Sequence, residues 1–305
     1  VLVDAAGFHR LARRLAEIYT ARQQGTDLPD TQLTNRLDVF EFGTDRSKTE
    51  TLTALAEAEL PKPVKIKGMI GGVIRSAIIR ELDKLSLNSR IVIAMNAVNI
   101  ARLKQTVLIE SGEDWISTNM ALSAHFTRIM ARLIYGEKPR EEVQIGQLLD
   151  LRSRYFETSR ETQAEFIGNA ILIHTETARF PGGLQNTSRA ALARFFKRSL
   201  TRVNADYLQQ RLDLISDGLR HGYNYPGLDL KNPMIALNNQ SKMPVYDLAF
   251  GTQIPLRVIP QDVGDNIMFF PTPDGGVEIY IRDILKPERQ EKLLTREWQD
   301  RIFDF

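Results

Sequence analysis

Runs with helical spacing of apolar residues alternate along this chain with short β-branched runs. Phe8, Leu11, Leu15 and Ile18 fall on one face of a predicted helix over residues 5–23. The run Val1-Leu2-Val3 ahead of it reads as a strand end, so the chain turns at Asp4, which stands where a helix cap belongs. A polar stretch follows to Thr34. Residues 61–68, with two prolines and three lysines, forbid a buried helix and read as a linker. Residues 69–85 then place Ile70, Val73, Ile74, Ala77, Ile78 and Leu82 on one helical face, either a core-facing helix or a lid over a lipophilic substrate.

The pattern predicts a strand over 91–94, a helix over 98–108 and a helix over 120–133, the last capped by Ser117, Thr118 or Asn119. Strands are expected over 143–151 and 169–175. Residues 188–219 read as helical with a break near Asn204. Beyond Val245 short β runs dominate, over 255–259, 266–270 and 277–282, the last two joined by the hairpin turn Thr272-Pro273-Asp274-Gly275-Gly276. Helices and strands alternate first and strands cluster afterwards, which predicts an α/β layered sheet with helices on its faces.

A length of 305 residues allows one large or two ordinary domains. Charged residues at 26% and hydrophobic residues at 43% indicate neither disorder nor a membrane protein. A net charge of +2 implies no broad nucleic-acid footprint, yet it leaves room for a local anion pocket. The absence of cysteine excludes a disulfide framework, a thiolate nucleophile and a Cys-ligated zinc, and a cytoplasmic setting fits. No run is long enough to cross a bilayer, and no leader pattern opens the chain. The first residue is Val, which suggests a processed, cloned or cleaved product. Gly68 to Gly72 is glycine-rich but lacks the Lys-Ser/Thr of a phosphate loop.

Histidine is the usual base of polar group transfer. Of the four present, His9, His125, His174 and His221, none has Asp four positions downstream and none follows a strand-to-turn signal, so each is read as packed or at the surface.

Three tracts agree with one another. They are Val1-Leu2-Val3-Asp4-Ala5-Ala6-Gly7; Leu149-Asp150-Leu151-Arg152-Ser153-Arg154-Tyr155 with Phe166-Ile167-Gly168-Asn169; and Pro244-Val245-Tyr246-Asp247-Leu248-Ala249-Phe250-Gly251. Together the chain resembles the BAHD family of CoA-dependent acyltransferases. The resemblance implies a two-lobed α/β fold of the chloramphenicol-acetyltransferase type, with mixed sheets and flanking helices. It divides the chain into 1–60 as the remainder of an N-terminal lobe, 61–90 as a crossover linker and helix, and 91–305 as the C-terminal lobe. Its first motif, His-x-x-x-Asp, puts the general base one residue before Val1, in a missing N-terminal segment of the same protein.

What the resemblance assigns to residues follows the same motifs. Asp4 becomes the motif carboxylate, paired with Arg152 or Arg154; the other reading has Asp4 as a plain cap and Asp150, Arg152 and Arg154 alternating along a strand's solvent face. Ser117, Thr118 and Gly251 become contacts for acyl-CoA, a co-substrate and not a bound cofactor, though capping equally accounts for the first two. Asn239 becomes an acceptor or oxyanion contact, against an Asx-turn in a loop. The implied reaction moves an acyl group from acyl-CoA to a hydroxyl or amine of a small-molecule acceptor, with no metal, nucleic acid or membrane. Relatives carry Asp and Trp where this chain has Ala249 and Thr252, which motivates a scaffold that lost CoA chemistry, as a cyclase or a binding protein. A peptide-condensation domain with a carrier-protein partner is a third reading, disfavoured by the Pro244 to Gly251 tract.

Overall fold

The computed structural model describes residues 4–29, 43, 45–58, 64–65, 91–155, 166–224, 234–260, 266–281 and 287–305. The expected strand at Val1–Val3, the helix over 69–85 and most of the linker over 61–68 lie outside the described residues.

Helix α1, Ala5–Gln24, opens on Asp4, whose carboxylate accepts from the Gly7 amide, and closes on Gly25 in the left-handed region. After it come α2, Lys48–Glu57, and a two-residue strand β1, Val64–Lys65. Next are β2, Ile91–Met95; α3, Ala97–Ser111; α4, Thr118–Tyr135; β3, Glu142–Asp150; and the short α5, Arg152–Tyr155. Strand β4, Ile171–Arg179, leads into α6, Arg189–Thr201, and α7, Ala205–Arg220. The expected break is real: Asn204 turns the chain and caps α7 through the Tyr207 amide. Strands β5, Tyr223–Asn224, β6, Met234–Asn239, β7, Asn266–Pro271, and β8, Val277–Ile281, precede the terminal helices α8, Pro287–Lys292, and α9, Arg296–Ile302.

Six strands form one mixed sheet in the order β2-β8-β7-β6-β3-β4. The β3/β6 and β6/β7 pairs run parallel, and β3/β4, β7/β8 and β2/β8 run antiparallel. A second, two-stranded sheet joins β1 to β5.

The strict period of two in β7 and β8 separates two cores. Ile267, Phe269, Val277, Ile279 and Ile281 face the helical layer, where Leu103 of α3, Leu122 and Phe126 of α4, and Leu192 and Phe196 of α6 are buried. Met268, Phe270 and Tyr280 face the other way and pack under Met243, Val245, Tyr246 and Val258. The loop following β6 is therefore bound to the sheet by apolar contact. Each fully buried side chain of this kind contributes about 1.5–3 kcal/mol.

Two expectations fail. Residues 255–259 form no strand; they are open loop with Leu256 91% exposed, because Pro255 and Pro260 interrupt any ladder. The alternation of Asp150, Arg152 and Arg154 along a strand also fails, since β3 ends at Asp150 and the chain coils into α5.

Candidate active site

The N-terminal end of α1 meets the C-terminal ends of β3 and β6 around Arg152. This guanidinium is 2% exposed and lies over the Phe166 ring. Its Nε donates to the Phe166 carbonyl at 3.0 Å, Nη1 to Asp4 Oδ2 and Asp150 Oδ1 at 3.0 Å each, and Nη2 to Asp4 Oδ1 at 3.0 Å and the Gly168 carbonyl at 2.5 Å. A guanidinium has five N–H bonds, and all five are used.

Asp4 is equally occupied. Beyond the two Arg152 contacts, Oδ1 accepts the Gly7 amide at 2.8 Å and Oδ2 the Ala170 amide at 2.7 Å. The carboxylate is therefore both helix cap and buried ion-pair partner, so the two readings of Asp4 coexist. The open choice between the two arginines resolves to Arg152. Arg154 instead donates to the Leu200 and Val203 carbonyls at the α6–α7 junction, and burial lowers its affinity for its proton.

A cavity of about 770 Å³ opens beside this pair. Ala5 and Ala6 form one edge, and Arg10, Arg13, Arg14 and Glu17 extend the wall along α1. Facing them are Leu148, Leu149, Asp150 and Ile171 on one side and the segment from Asn238 to Gln240 with Lys242, Met243 and Pro244 on the other. Asn239 thus stands on the cavity wall. Its Oδ1 accepts the Ser241 amide and hydroxyl at 2.9 and 2.7 Å, an Asx-turn that also fixes which end of the side chain is oxygen. Its Nδ2 donates to Asn119 Oδ1 at 2.6 Å, tying the wall to the start of α4, and an amide nitrogen carries a second N–H besides.

The remaining expected residues fall elsewhere. Ser117 caps α4 by accepting the Met120 amide at 3.1 Å, and neither Ser117 nor Thr118 is among the described residues of the cavity wall. Gly251 packs on the far half of α1. It has φ 65°, its amide donates to Thr20 Oγ1 at 2.9 Å, and an added Cβ would collide with the Gln23 side chain. Thr20 Oγ1 also donates to the Ala249 carbonyl at 3.4 Å, so this one hydroxyl ties the backbone of the 249–251 turn to α1.

His9, read from the sequence as packed or at the surface, also stands on the cavity wall. His9 donates through Nε2 to the Pro244 carbonyl at 3.0 Å and holds α1 against the loop after β6. Burial holds its imidazole below the ordinary value, against that hydrogen bond, which favours the proton. Only the distant position of Pro244 reveals this role. The other histidines lie outside the cavity lining. His125 is buried against the Ile302 carbonyl, His174 is held between Tyr207 and Ser199, and His221 lies against Asp217. Among the described residues no group of three or more His, Cys, Asp or Glu is arranged to hold a metal ion.

The three tracts named from the sequence therefore converge on one helix, and comparison with known proteins agrees. The model of the Transferase family matches residues 57–293. The chain belongs to the BAHD Transferase family. Among solved structures it is similar to F. graminearum TRI101 complexed with coenzyme A and T-2 mycotoxin, at 15% identity and a TM-score of 0.64 over 98% of this chain and 63% of that one. It is also similar to vinorine synthase, at 16% identity and a TM-score of 0.56 over 95% of this chain and 58% of that one. The first condensation domain of the calcium-dependent antibiotic synthetase aligns at 13% identity and a TM-score of 0.58, over 100% of this chain and 63% of that one. At such identities the likeness establishes the fold, the mixed α/β chloramphenicol-acetyltransferase-like fold expected from the sequence. The BAHD chain spans less than two thirds of each of these structures. No curated protein sequence matches it. Among the described residues no helix is long and apolar enough to cross a membrane.

Proposed function

We propose that this chain supplies the greater part of an acyltransferase that moves an acyl group from acyl-CoA to a hydroxyl or amine of a small-molecule acceptor. The observation that carries the reading is the Asp4–Arg152 pair. It turns the motif carboxylate away from the cavity and spends it on backbone geometry, leaving proton transfer to a different group. The base is a histidine one residue before Val1, in a preceding segment of the same protein. That position is five residues from Ala5 on the cavity edge, a separation of at most about 18 Å.

In the reaction the imidazole takes the acceptor's proton as the acceptor oxygen or nitrogen attacks the thioester carbonyl. A tetrahedral oxyanion forms, and its collapse expels the CoA thiolate, which recovers the proton. In this reading Asn239 donates to that oxyanion, through the N–H left after Asn119 is served. Ser117, Thr118 and Gly251 belong to the CoA side in this reading. The division into 1–60, 61–90 and 91–305 goes with it. Coenzyme A and T-2 mycotoxin in the TRI101 structure support acyl-CoA and a small-molecule acceptor as its ligands. Loss of CoA chemistry, the alternative raised by Ala249 and Thr252, is weakened by the Thr20 contacts, which hold the 249–251 turn without the carboxylate.

The test is acyl transfer by the longer protein that includes the upstream residue. His→Ala there abolishes turnover, and Asn239→Ala lowers kcat about 100-fold with little change in KM. Full turnover without the histidine sinks the assignment. Titration with CoA separates the alternative, which predicts no binding.

A further inference from the structure

The side of α1 that faces the cavity is its charged side. Arg10, Arg13, Arg14 and Glu17 recur at three- and four-residue spacing and line the cavity, whereas the large apolar residues Phe8, Leu15 and Tyr19 are 67%, 62% and 48% exposed. Five cationic side chains line the described wall, Arg10, Arg13, Arg14, Arg152 and Lys242, against the two carboxylates of Glu17 and Asp150. Arg152 is spent on Asp4 and its neighbours. The others are under-matched. Glu17 alone serves both Arg13, at 3.2 Å, and Arg14, at 2.7 Å, and Arg14 Nε is buried with no partner. Arg10 donates to the Phe166 carbonyl at 2.8 Å but pairs with no carboxylate at salt-bridge distance among the described residues, and burial together with the neighbouring Arg152 charge weakens its hold on its proton against the opposing pull of the Asp150 and Asp4 charges. Lys242, across the cavity, likewise makes no ion pair among the described residues.

Cations gathered around a partly buried space repel one another and lose hydration, and a carboxylate or phosphate entering the space relieves both costs through charge-assisted hydrogen bonds. The rest of the lining is not built for a bare ion. Leu148, Leu149, Ile171, Met243 and Pro244 supply an apolar wall, which calls for an organic body behind the charged group.

We infer that this cavity selects an anionic small-molecule substrate, an organic carboxylate or phosphate ester with an apolar body, whose charge is held by Arg10, Arg13, Arg14 and Lys242. The inference rests on the reading of the cavity as the acyl-transfer site and names the substrate class for it. It assigns the charge to the small molecule and not to the phosphates of CoA.

Calorimetric titration of the chain with 3-phenylpropanoate and its neutral amide tests it, with CoA titrated in parallel. Expected results are binding of the acid and not the amide, weakening with added salt, and about tenfold weaker binding in each of Arg10→Gln and Arg14→Gln, as loss of a charge-assisted hydrogen bond predicts. CoA affinity stays unchanged in these variants. Arg13→Gln, at an exposed position, keeps the test interpretable if Arg10→Gln or Arg14→Gln does not fold. Equal binding of acid and amide, or acid binding that survives the triple variant Arg10→Gln/Arg13→Gln/Lys242→Gln, overturns the inference. So does loss of CoA binding in that variant with acid binding intact, since the anion is then the CoA phosphate. CoA that fails to bind the unaltered chain counts against the acyl-transfer reading alone, and acid binding lost in the variants still upholds the anion site.

Discussion

Arg152 and Arg14 line one cavity and differ in what remains of them. Arg152 has every N–H bonded inside the protein, to one carboxylate twice, to a second carboxylate and to two carbonyls. Arg14 shares a single carboxylate with its neighbour and leaves Nε buried and unmatched. The first is a fixture of the fold, whereas the second has bonding capacity to spare. A residue type that reads identically in a sequence thus divides into structural and available members according to how many of its donors the fold consumes. His174 is the neutral counterpart of Arg152, buried on β4 with its two ring nitrogens at 2.9 Å from the Tyr207 and Ser199 hydroxyls.

The contrast breaks most visibly at Arg152. Arg152→Met leaves Asp4 as a buried charge without its partner and is expected to destabilise the chain by about 3–5 kcal/mol, read from urea unfolding. A loss below about 1 kcal/mol would mean that the pair does not hold the site. His174 sharpens the contrast by adding pH. Burial pushes its imidazole down to about 4, so the folded state binds fewer protons than the unfolded state between that value and 6.5. Its contribution is therefore complete above pH 6.5 and is lost as the pH falls toward 4. The stability gap between the unaltered chain and His174→Gln narrows by roughly 3 kcal/mol over that window. A gap that holds constant would show that His174 is charged in the fold.

Smaller effects separate cap from ligand. Ser117→Ala costs about 1 kcal/mol through loss of the α4 cap. A drop in CoA affinity beyond the loss of stability upholds Ser117 on the CoA side; an unchanged affinity makes capping its whole role. Smallest is Arg14→Met, which removes a buried unmatched N–H from a wall residue. Its stability is expected within about 0.5 kcal/mol of the unaltered chain, in direct contrast to Arg152→Met. A large loss would make Arg14 structural as well.

Local signals carried much of this architecture. The apolar spacing in α1, α3 and α4 located those helices to within a few residues of their bounds, and Asn204 marked the α6–α7 break because its side chain competes for the next turn's amide. Strand β6 escaped notice. It is a central parallel strand, but Met234 to Leu237 is too short an apolar run to announce itself, and Asn238 and Asn239 disguise its end. Helix α2 was also missed, because it buries only Thr51 and Leu55 and derives its place from the Asp217 carboxylate of α7, which accepts from the Thr51 hydroxyl and the Arg46 amide. The reverse error at 255–259 came from reading apolar residues as buried when Ile254, Leu256 and Ile259 are exposed.

By itself the sequence determined the class of fold, the order of most elements and the three tracts that meet at α1, because periodicity, caps and motif spacing act over a few residues. Only the tertiary structure decided that Arg152 and not Arg154 pairs with Asp4, that His9 braces Pro244, and that Arg10, Arg13 and Arg14 of α1 face a cavity while Phe8, Leu15 and Tyr19 do not. Those outcomes depend on partners up to 235 residues away and on which donors remain once the backbone has been served. Proximity of that kind is a property of the folded chain, and no local pattern encodes it.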